Sequence, residues 1–417
     1  MSSVAPPSRQ SPPRSSPAMS LSNLPLSYCT NVHPGRQLAE VLSGLRQYTV
    51  PLRKSLGGSL AAGLWLAAPV VAELQSADAV LRLRETLAEG HLTCHTLNAF
   101  PYGDFHSPRV KEQVYLPDWT HPNRQQYTLD CARVLGELLP DGVEGSISTV
   151  PLGFKELPRS ANFLEECQDR LLRTAQGLDR LWRDTGRLIR LAIEPEPLCV
   201  LETTSETVTF FEGLFACAAR QGLEEIARRH LGVCYDVCHQ AVEFEPVAAS
   251  IDTLHQAGVR LNKIHLSSAI ELPNPQHNRE GREALARYVE ERYLHQTFAR
   301  LANGEVLRRT DLTRELALDP PAEFLAATCW RIHFHVPVNA ETLGPLHTTR
   351  AELGAALGAV ARLPYAPHLE VETYTWEVLP PGSAGTVGQR SPDWLVAGLS
   401  RELIATQQQL ARSGQPL

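Results

Sequence analysis

No stretch of the sequence stays apolar for the roughly 20 residues that a membrane-spanning helix needs. The nearest candidate, Leu60 to Leu74, is interrupted by Pro69 and Glu73, so no direct membrane insertion is expected. Basic residues are outnumbered, 39 Lys and Arg against 46 Asp and Glu, for a formal net charge of −7. Such a balance offers no electrostatic reason to approach nucleic acid, and no nucleic-acid partner is expected. Cysteine is sparse and odd in number, nine over the whole chain, and Cys234 and Cys238 are too far apart for a CxxC pair. That pattern excludes a disulfide framework and points to a reducing, cytoplasmic setting. Nucleotide-binding glycine patterns, HExxH and GxSxG are also missing, which removes the usual fingerprints of nucleotide enzymes, zinc proteases and serine hydrolases.

What is present is enough apolar material for a large core: 417 residues, 43% hydrophobic and 20% charged. Residues 1–23 are rich in Ser, Pro and Arg without an apolar run, and read as a disordered tail before one domain spanning 24–417. Within that domain, short β-branched or apolar runs alternate with longer helical patterns. The runs are Leu26 to Asn31, Ala62 to Leu66, Thr93 to Asn98, Gly145 to Val150, Leu188 to Glu194, Gly232 to Asp236, Asn262 to Ser267 and His368 to Tyr374. Eight parallel strands with helical returns predict an α/β fold, a (β/α)8 TIM barrel.

Between them, Gln37 to Leu56 and Phe163 to Thr185 carry the apolar period of helices, the second with Asn162 and Glu165 placed as a capped start. The rhythm breaks after the seventh strand: His265 and Glu372 are 107 residues apart, where a strand and its return helix need only about 30. An insertion over about 270–330 is expected there, with Tyr293 to Leu301 and Glu305 to Leu312 forming a hairpin around Asn303-Gly304. Trp330 to Val338 is a ninth strand candidate. If it joined the barrel wall, His333 and His335 would share the face lining the cavity.

Four of the barrel runs end in a residue able to hold a divalent metal: Glu194, Asp236, His265 and Glu372. Groups at the C-terminal ends of barrel strands share one mouth. Three carboxylates brought together there would repel one another and resist burial, and a cation removes both difficulties. Glu196 and Glu370 lie two residues from a proposed ligand and so point the same way along an extended strand, which leaves either open as a replacement. Glu194 is preferred because it closes an apolar run, Glu372 because it lies nearer its strand's C-terminal end. The histidine ligand is likewise open between His265 and the His333/His335 pair. His239, three residues after Asp236, can face the same cavity and hold a substrate oxygen as it gains charge. Three loops supply walls suited to a small polyol or sugar-like ligand: Cys29 to His33 with Asn31 and His33, Asn98 to His106 with Tyr102, and Pro151 to Lys155.

The order Glu194, Asp236-x-x-His239, His265, Glu372 resembles the xylose isomerase-like TIM barrel superfamily, which includes sugar isomerases, ketose epimerases, inosose dehydratases and endonuclease IV. The segments Ser27 to Gly35, Thr96 to His106, Gly145 to Thr149 and Leu369 to Trp376 are more closely similar to the metabolite traffic protein EboE family, from about residue 24 onward. The chain departs from the pattern in the long insertion and the extra His-x-His segment. The resemblance implies a barrel and a role in making or moving a small secondary metabolite. It also implies that Glu194, Asp236, His265 and Glu372 bind one divalent ion (Mn, Mg, Zn or Co) while His239 binds substrate.

The expected activity is a metal-dependent isomerase, epimerase or related lyase acting on a sugar or cyclitol, with Glu194 and Glu372 exchanging the proton. Two other readings are a metabolite carrier that keeps the pocket without turnover, and an endonuclease IV-like nuclease, which the acidic balance opposes.

Overall fold

All eight sequence runs become barrel strands, most of them shortened at one or both ends, while those at Ala61, Leu231 and Leu261 begin one residue earlier than expected. The computed structural model describes residues 23–383 and 391–412; of the expected tail, residues 1–22 lie outside the described residues. The strands are β1 (Ser27–Cys29), β2 (Ala61–Trp65), β3 (Thr96–Asn98), β4 (Gly145–Thr149), β5 (Ile189–Ile193), β6 (Leu231–Asp236) and β7 (Leu261–Leu266). Six more follow before the last barrel strand: β8 (Ile270–Pro273), β9 (Thr297–Arg300), β10 (Val306–Arg309), β11 (Cys329–Ile332), β12 (Thr342–Leu343) and β13 (Leu346–Thr348). The last is β14 (His368–Val371), which pairs in parallel with both β7 and β1 and closes an eight-stranded barrel.

The excursion after β7 forms a second sheet of its own, six strands in the order β10-β9-β11-β8-β13-β12. Asn303 and Gly304 turn the chain between β9 and β10 as the sequence predicts, with Gly304 at φ +90°, a conformation open to glycine and strained for other residues. The sheet continues to Thr348, past the expected end of the insertion, because Leu346–Thr348 returns to pair with β8. Trp330 is not in the barrel wall: β11 pairs with β8 and β9 and ends at Ile332, after which Phe334 N bonds back to Ile332 O and the chain leaves extended pairing.

Two helix details also differ from expectation. The helix from Leu38 to Leu56 contains a wider turn at Leu45–Thr49. Pro51 lies just beyond it and has no N–H to complete the i to i−4 ladder. Asn162 precedes the Phe163–Thr185 helix but makes no side-chain cap; the reciprocal cap lies elsewhere, between Thr203 and Glu206.

Register sets depth in the barrel. Asp236 lies opposite His265, and His265 opposite Glu370, so these three share one level. Side chains two residues apart share a face, so Glu372 stands one level nearer the mouth than Glu370. Gly63 on β2 is required by this arrangement, since a Cβ there would come within 1.4 Å of Glu370 Oε2.

Candidate metal centre

The ends of β5, β6, β7 and β14 deliver four side chains to one point. Ligand atoms of Glu194, Asp236, His265 and Glu372 all lie within 4.8 Å of one another, and all four residues are buried. His265 Nδ1 is the hub, 2.9 Å from Glu194 Oε1, 3.0 Å from Glu372 Oε2 and 3.6 Å from Asp236 Oδ2.

Local structure fixes each arm. Asp236 caps the helix that follows it: its Oδ1 accepts from His239 N at 3.0 Å and from Ser267 Oγ at 2.7 Å. Oδ2 is thereby left free to face the centre. Glu372 Oε1 accepts from Asn31 Nδ2 at 2.9 Å and Asn98 Nδ2 at 2.8 Å. Two amides saturate that oxygen and aim Oε2 inward.

The donor set fits a divalent cation. Glu194 Oε2 and Asp236 Oδ2 are buried without a hydrogen-bond partner, and leaving such acceptors bare costs about 1–3 kcal/mol each. Three hard carboxylates and one imidazole suit Mn, Mg, Zn or Co. The charges respond to one another in the same sense. Burial works against charge on His265, but the Cys234 sulfur and the carboxylates of Glu194 and Glu372 hold its imidazole well above the ordinary value. Burial also opposes ionisation of Asp236, and His239, His335 and His265 outweigh it, keeping that carboxylate well below the usual range. Cys234 is close enough to compete as a ligand, yet burial pushes its thiol up to about 12.

One level below, Glu370 is committed elsewhere. Its Oε1 is 2.7 Å from Lys263 Nζ and 3.3 Å from His265 Nε2, and its Oε2 accepts from Ser27 Oγ. Burial opposes its ionisation, but Lys263 and His265 bring it down to about 2. Glu370 therefore backs the far side of the His265 ring, which leaves the mouth position to Glu372. Glu196 is also displaced from the hub. Its Oε1 takes the Tyr115 hydroxyl at 2.7 Å, and burial raises its carboxyl to about 7.

Beside the four residues lies a cavity of about 50 Å³, lined by Asn31, Asn98, Glu194, Glu196, His239, His333 and Glu372 together with the aromatic rings of Phe100, Phe105, Tyr293 and Tyr374. His239, His333, Asn31 and Asn98 thus reach the place the sequence suggests. His335 is buried beside it, with Nδ1 2.9 Å from Glu372 O and its ring 4.7 Å from that of Tyr374. Three expected wall residues do not reach it. His33 turns away to bond Tyr28 Oη at 3.0 Å and stack on Tyr48. Tyr102 packs edge-on against Tyr127 and beneath the Arg124 guanidinium. Lys155 is held in ion pairs with Glu202 and Glu206. A loop's composition does not say which of its side chains turn inward, and nearby partners captured these three.

Tyr115 and Gln296 line or support the cavity without a sequence signal, because they arrive from distant loops, whereas Tyr374 lies two residues after Glu372 in a segment the sequence singles out. Lys263 had one: it lies two residues before His265 on the same strand face.

No protein-family model matches the chain, and no curated protein does. Solved structures similar to it include an L-ribulose 3-epimerase, 11% identical over 93% of this chain and 95% of that one, with a TM-score of 0.47. A D-psicose 3-epimerase in the presence of D-fructose is 13% identical over 93% and 99%, with a TM-score of 0.48. A xylose isomerase-like TIM barrel protein from Mycobacterium smegmatis in complex with magnesium is 12% identical over 93% and 98%, with a TM-score of 0.44. At these values the likenesses assign neither an activity nor a residue role to this chain.

Proposed function

We propose that the protein is a divalent-metal-dependent isomerase or epimerase for a small polyhydroxylated molecule, a sugar or cyclitol. It would act in secondary-metabolite synthesis or traffic of the EboE kind. The observation that carries the reading is the convergence of Glu194, Asp236, His265 and Glu372 beside a cavity lined by both polar and aromatic side chains. Nine unpaired cysteines suit a reducing cytoplasm.

A cation held by these four supplies Lewis-acid polarisation of neighbouring substrate oxygens. The chain's own groups do the rest. Glu194 Oε2, buried and without a partner, can take or return a proton at the substrate carbon from one side, and Glu372 Oε2 from the other. Asn31 and Asn98 fix the second carboxylate in that attitude. His239, with Nδ1 2.9 Å from Pro195 O, presents Nε2 to a substrate oxygen. The aromatic part of the lining offers an apolar face to a small molecule beside the polar groups.

The test is manganese content after dialysis for wild type, Glu372→Ala and His265→Ala, followed by deuterium incorporation from heavy water into a panel of ketoses and cyclitols. Metal in the wild type alone, with exchange at a carbon-bound hydrogen, supports the reading. Equally little metal in all three proteins ends it. Stoichiometric ligand capture with neither exchange nor conversion would leave a carrier instead.

A further inference from the structure

The excursion after β7 brings one side chain to the cavity with its hydrogen-bonding sense already decided. His333 follows β11; its backbone N–H donates to Gln296 O at 2.9 Å, and its Nδ1 stands 2.7 Å from Gln296 Oε1. The Gln296 amide is held one way round. Its Nε2 is 3.0 Å from Tyr115 Oη and 3.3 Å from both Glu196 Oε1 and Pro197 O, and a backbone carbonyl only accepts. Oε1 is therefore the atom that faces His333, and the hydrogen of that contact belongs to Nδ1. A second hydrogen would put a charge on a buried nitrogen that has no partner among the described residues. Burial and the imidazoles of His239 and His335 act in the same sense, holding the ring well below the ordinary value. A neutral ring with its hydrogen on Nδ1 leaves Nε2 as an acceptor.

Asn31, just after β1, is locked in the same sense. Its Nδ2 donates to Glu372 Oε1 at 2.9 Å, which fixes Oδ1 as the other end. Among the described residues neither His333 Nε2 nor Asn31 Oδ1 has a hydrogen-bond partner, although both residues are buried in the lining of one cavity. Two acceptors from unconnected segments, each oriented by another group, are complemented only by donors on whatever occupies the space. A hydroxyl supplies one. A phosphate on the ligand does not, because its oxygens chiefly accept, and Glu194, Glu196 and Glu372 already bring negative charge to the lining. Lys111 lines the cavity too, but its Nζ is matched by Asp311 Oδ2 at 2.6 Å, Tyr293 O at 2.7 Å and Glu290 O at 3.1 Å. A ligand ammonium would donate, yet it would meet the like charge of the divalent cation that the proposed function places beside the same cavity.

We propose that His333 and Asn31 form a hydroxyl-accepting subsite, in which the substrate donates one O–H to His333 Nε2 and another to Asn31 Oδ1 and carries no phosphate at that end. Gln296 acts through His333 as a positioning residue. The subsite rests on the proposed function for its polyhydroxylated occupant, and adds to it the direction of two hydrogen bonds and an unphosphorylated substrate. It also gives the excursion after β7 a use, since Gln296 and His333 both come from it.

The first measurement needs no ligand. Ring-nitrogen NMR of histidine in the full chain loaded with Mg(II), with His333→Gln identifying the signal, should show at neutral pH an uncharged His333 whose hydrogen is on Nδ1. A hydrogen on Nε2 would overturn the proposal whatever the fate of the proposed function. Calorimetric titration then compares D-fructose, D-tagatose and myo-inositol with their monophosphate esters. A free polyol should bind, and its ester about tenfold or more weakly. His333→Phe should weaken the free polyol by about tenfold, and His333→Gln, which offers an amide oxygen in place of Nε2, should restore most of the affinity. Gln296→Leu should lose the Nδ1 signature and bind as His333→Phe does. Equal affinity in wild type and in a His333→Phe protein shown to be folded by circular dichroism, or an ester that binds as well as the free polyol, would overturn the subsite. If that polyol still exchanges hydrogen with heavy water, the proposed function stands. No polyol bound and no exchange across the panel would overturn both.

Discussion

Replacing Lys263 by methionine should be among the most damaging single changes in the barrel interior. Lys263 and Glu370 are both fully buried and 2.7 Å apart. The pairing, with help from His265, draws the Glu370 carboxyl from an ordinary 4.5 to about 2. That depression corresponds to roughly 3 kcal/mol favouring the ionised form in the folded protein. This agrees with the 3–5 kcal/mol typical of breaking a buried pair from one side.

Because the folded value is depressed, this stabilisation is complete above pH 4.5 and fades as pH falls towards 2. Lys263→Met should therefore lose about 3 kcal/mol at pH 7, seen as a lower urea midpoint, and less of it as Glu370 becomes protonated in acid. Restoring electrical balance with Lys263→Met/Glu370→Met should recover most of the loss, since well-packed apolar replacements of buried ion pairs are often neutral or better. If the double variant is as unstable as the single one, the damage comes from packing and the argument from an orphaned charge is wrong.

Three other changes test separate parts of the account. Gly63→Ala places a Cβ 1.4 Å from Glu370 Oε2, which Ser27 holds while Lys263 holds Oε1 of the same carboxylate, so a loss of at least the ~1–3 kcal/mol of overpacking is expected; an unchanged thermal midpoint would contradict the packing described. Asn98→Ala removes one of the two donors on Glu372 Oε1 and should weaken Mn(II) binding by about 10–100-fold in calorimetric titration, with unchanged affinity counting against its orienting role. Glu402, buried, accepts from Val338 N, Thr373 Oγ1 and Trp376 Nε1, and burial raises its carboxyl from 4.5 to about 7. Its contribution is complete below pH 4.5 and lost as pH rises through 7, by up to about 3 kcal/mol. The thermal midpoint should accordingly fall between pH 5 and 8 in the wild type and fall less in Glu402→Gln; identical pH profiles would refute this.

Much of the barrel is legible from short-range pattern alone. Apolar runs interrupted by helical periods locate β1 to β7 and β14, and Asn303-Gly304 locates the turn between β9 and β10. The four residues at the hub are legible because residues at or just past a strand's C-terminal end stand at the barrel's mouth. The second sheet is less so. Its strands are two to four residues long and exist only because they pair with one another, which is why Trp330 reads equally well as barrel wall. His333 and His335 still arrive at the mouth, carried there by the chain that leaves β11.

Local sequence thus determined the strands, the helices between them, and which residues stand at strand ends, since backbone preference and hydrophobic period act over only a few positions. Depth, direction and partnership came from closure of the barrel. Glu370 and Glu372 share a strand face, and only the pairing of β14 with β7 puts the first against Lys263 and the second beside Glu194. His33, Tyr102 and Lys155 have the right chemistry for a pocket wall but found partners outside it. Where a side chain of a given type is spent depends on which group lies within about 3 Å of it, and that distance exists only in the folded chain.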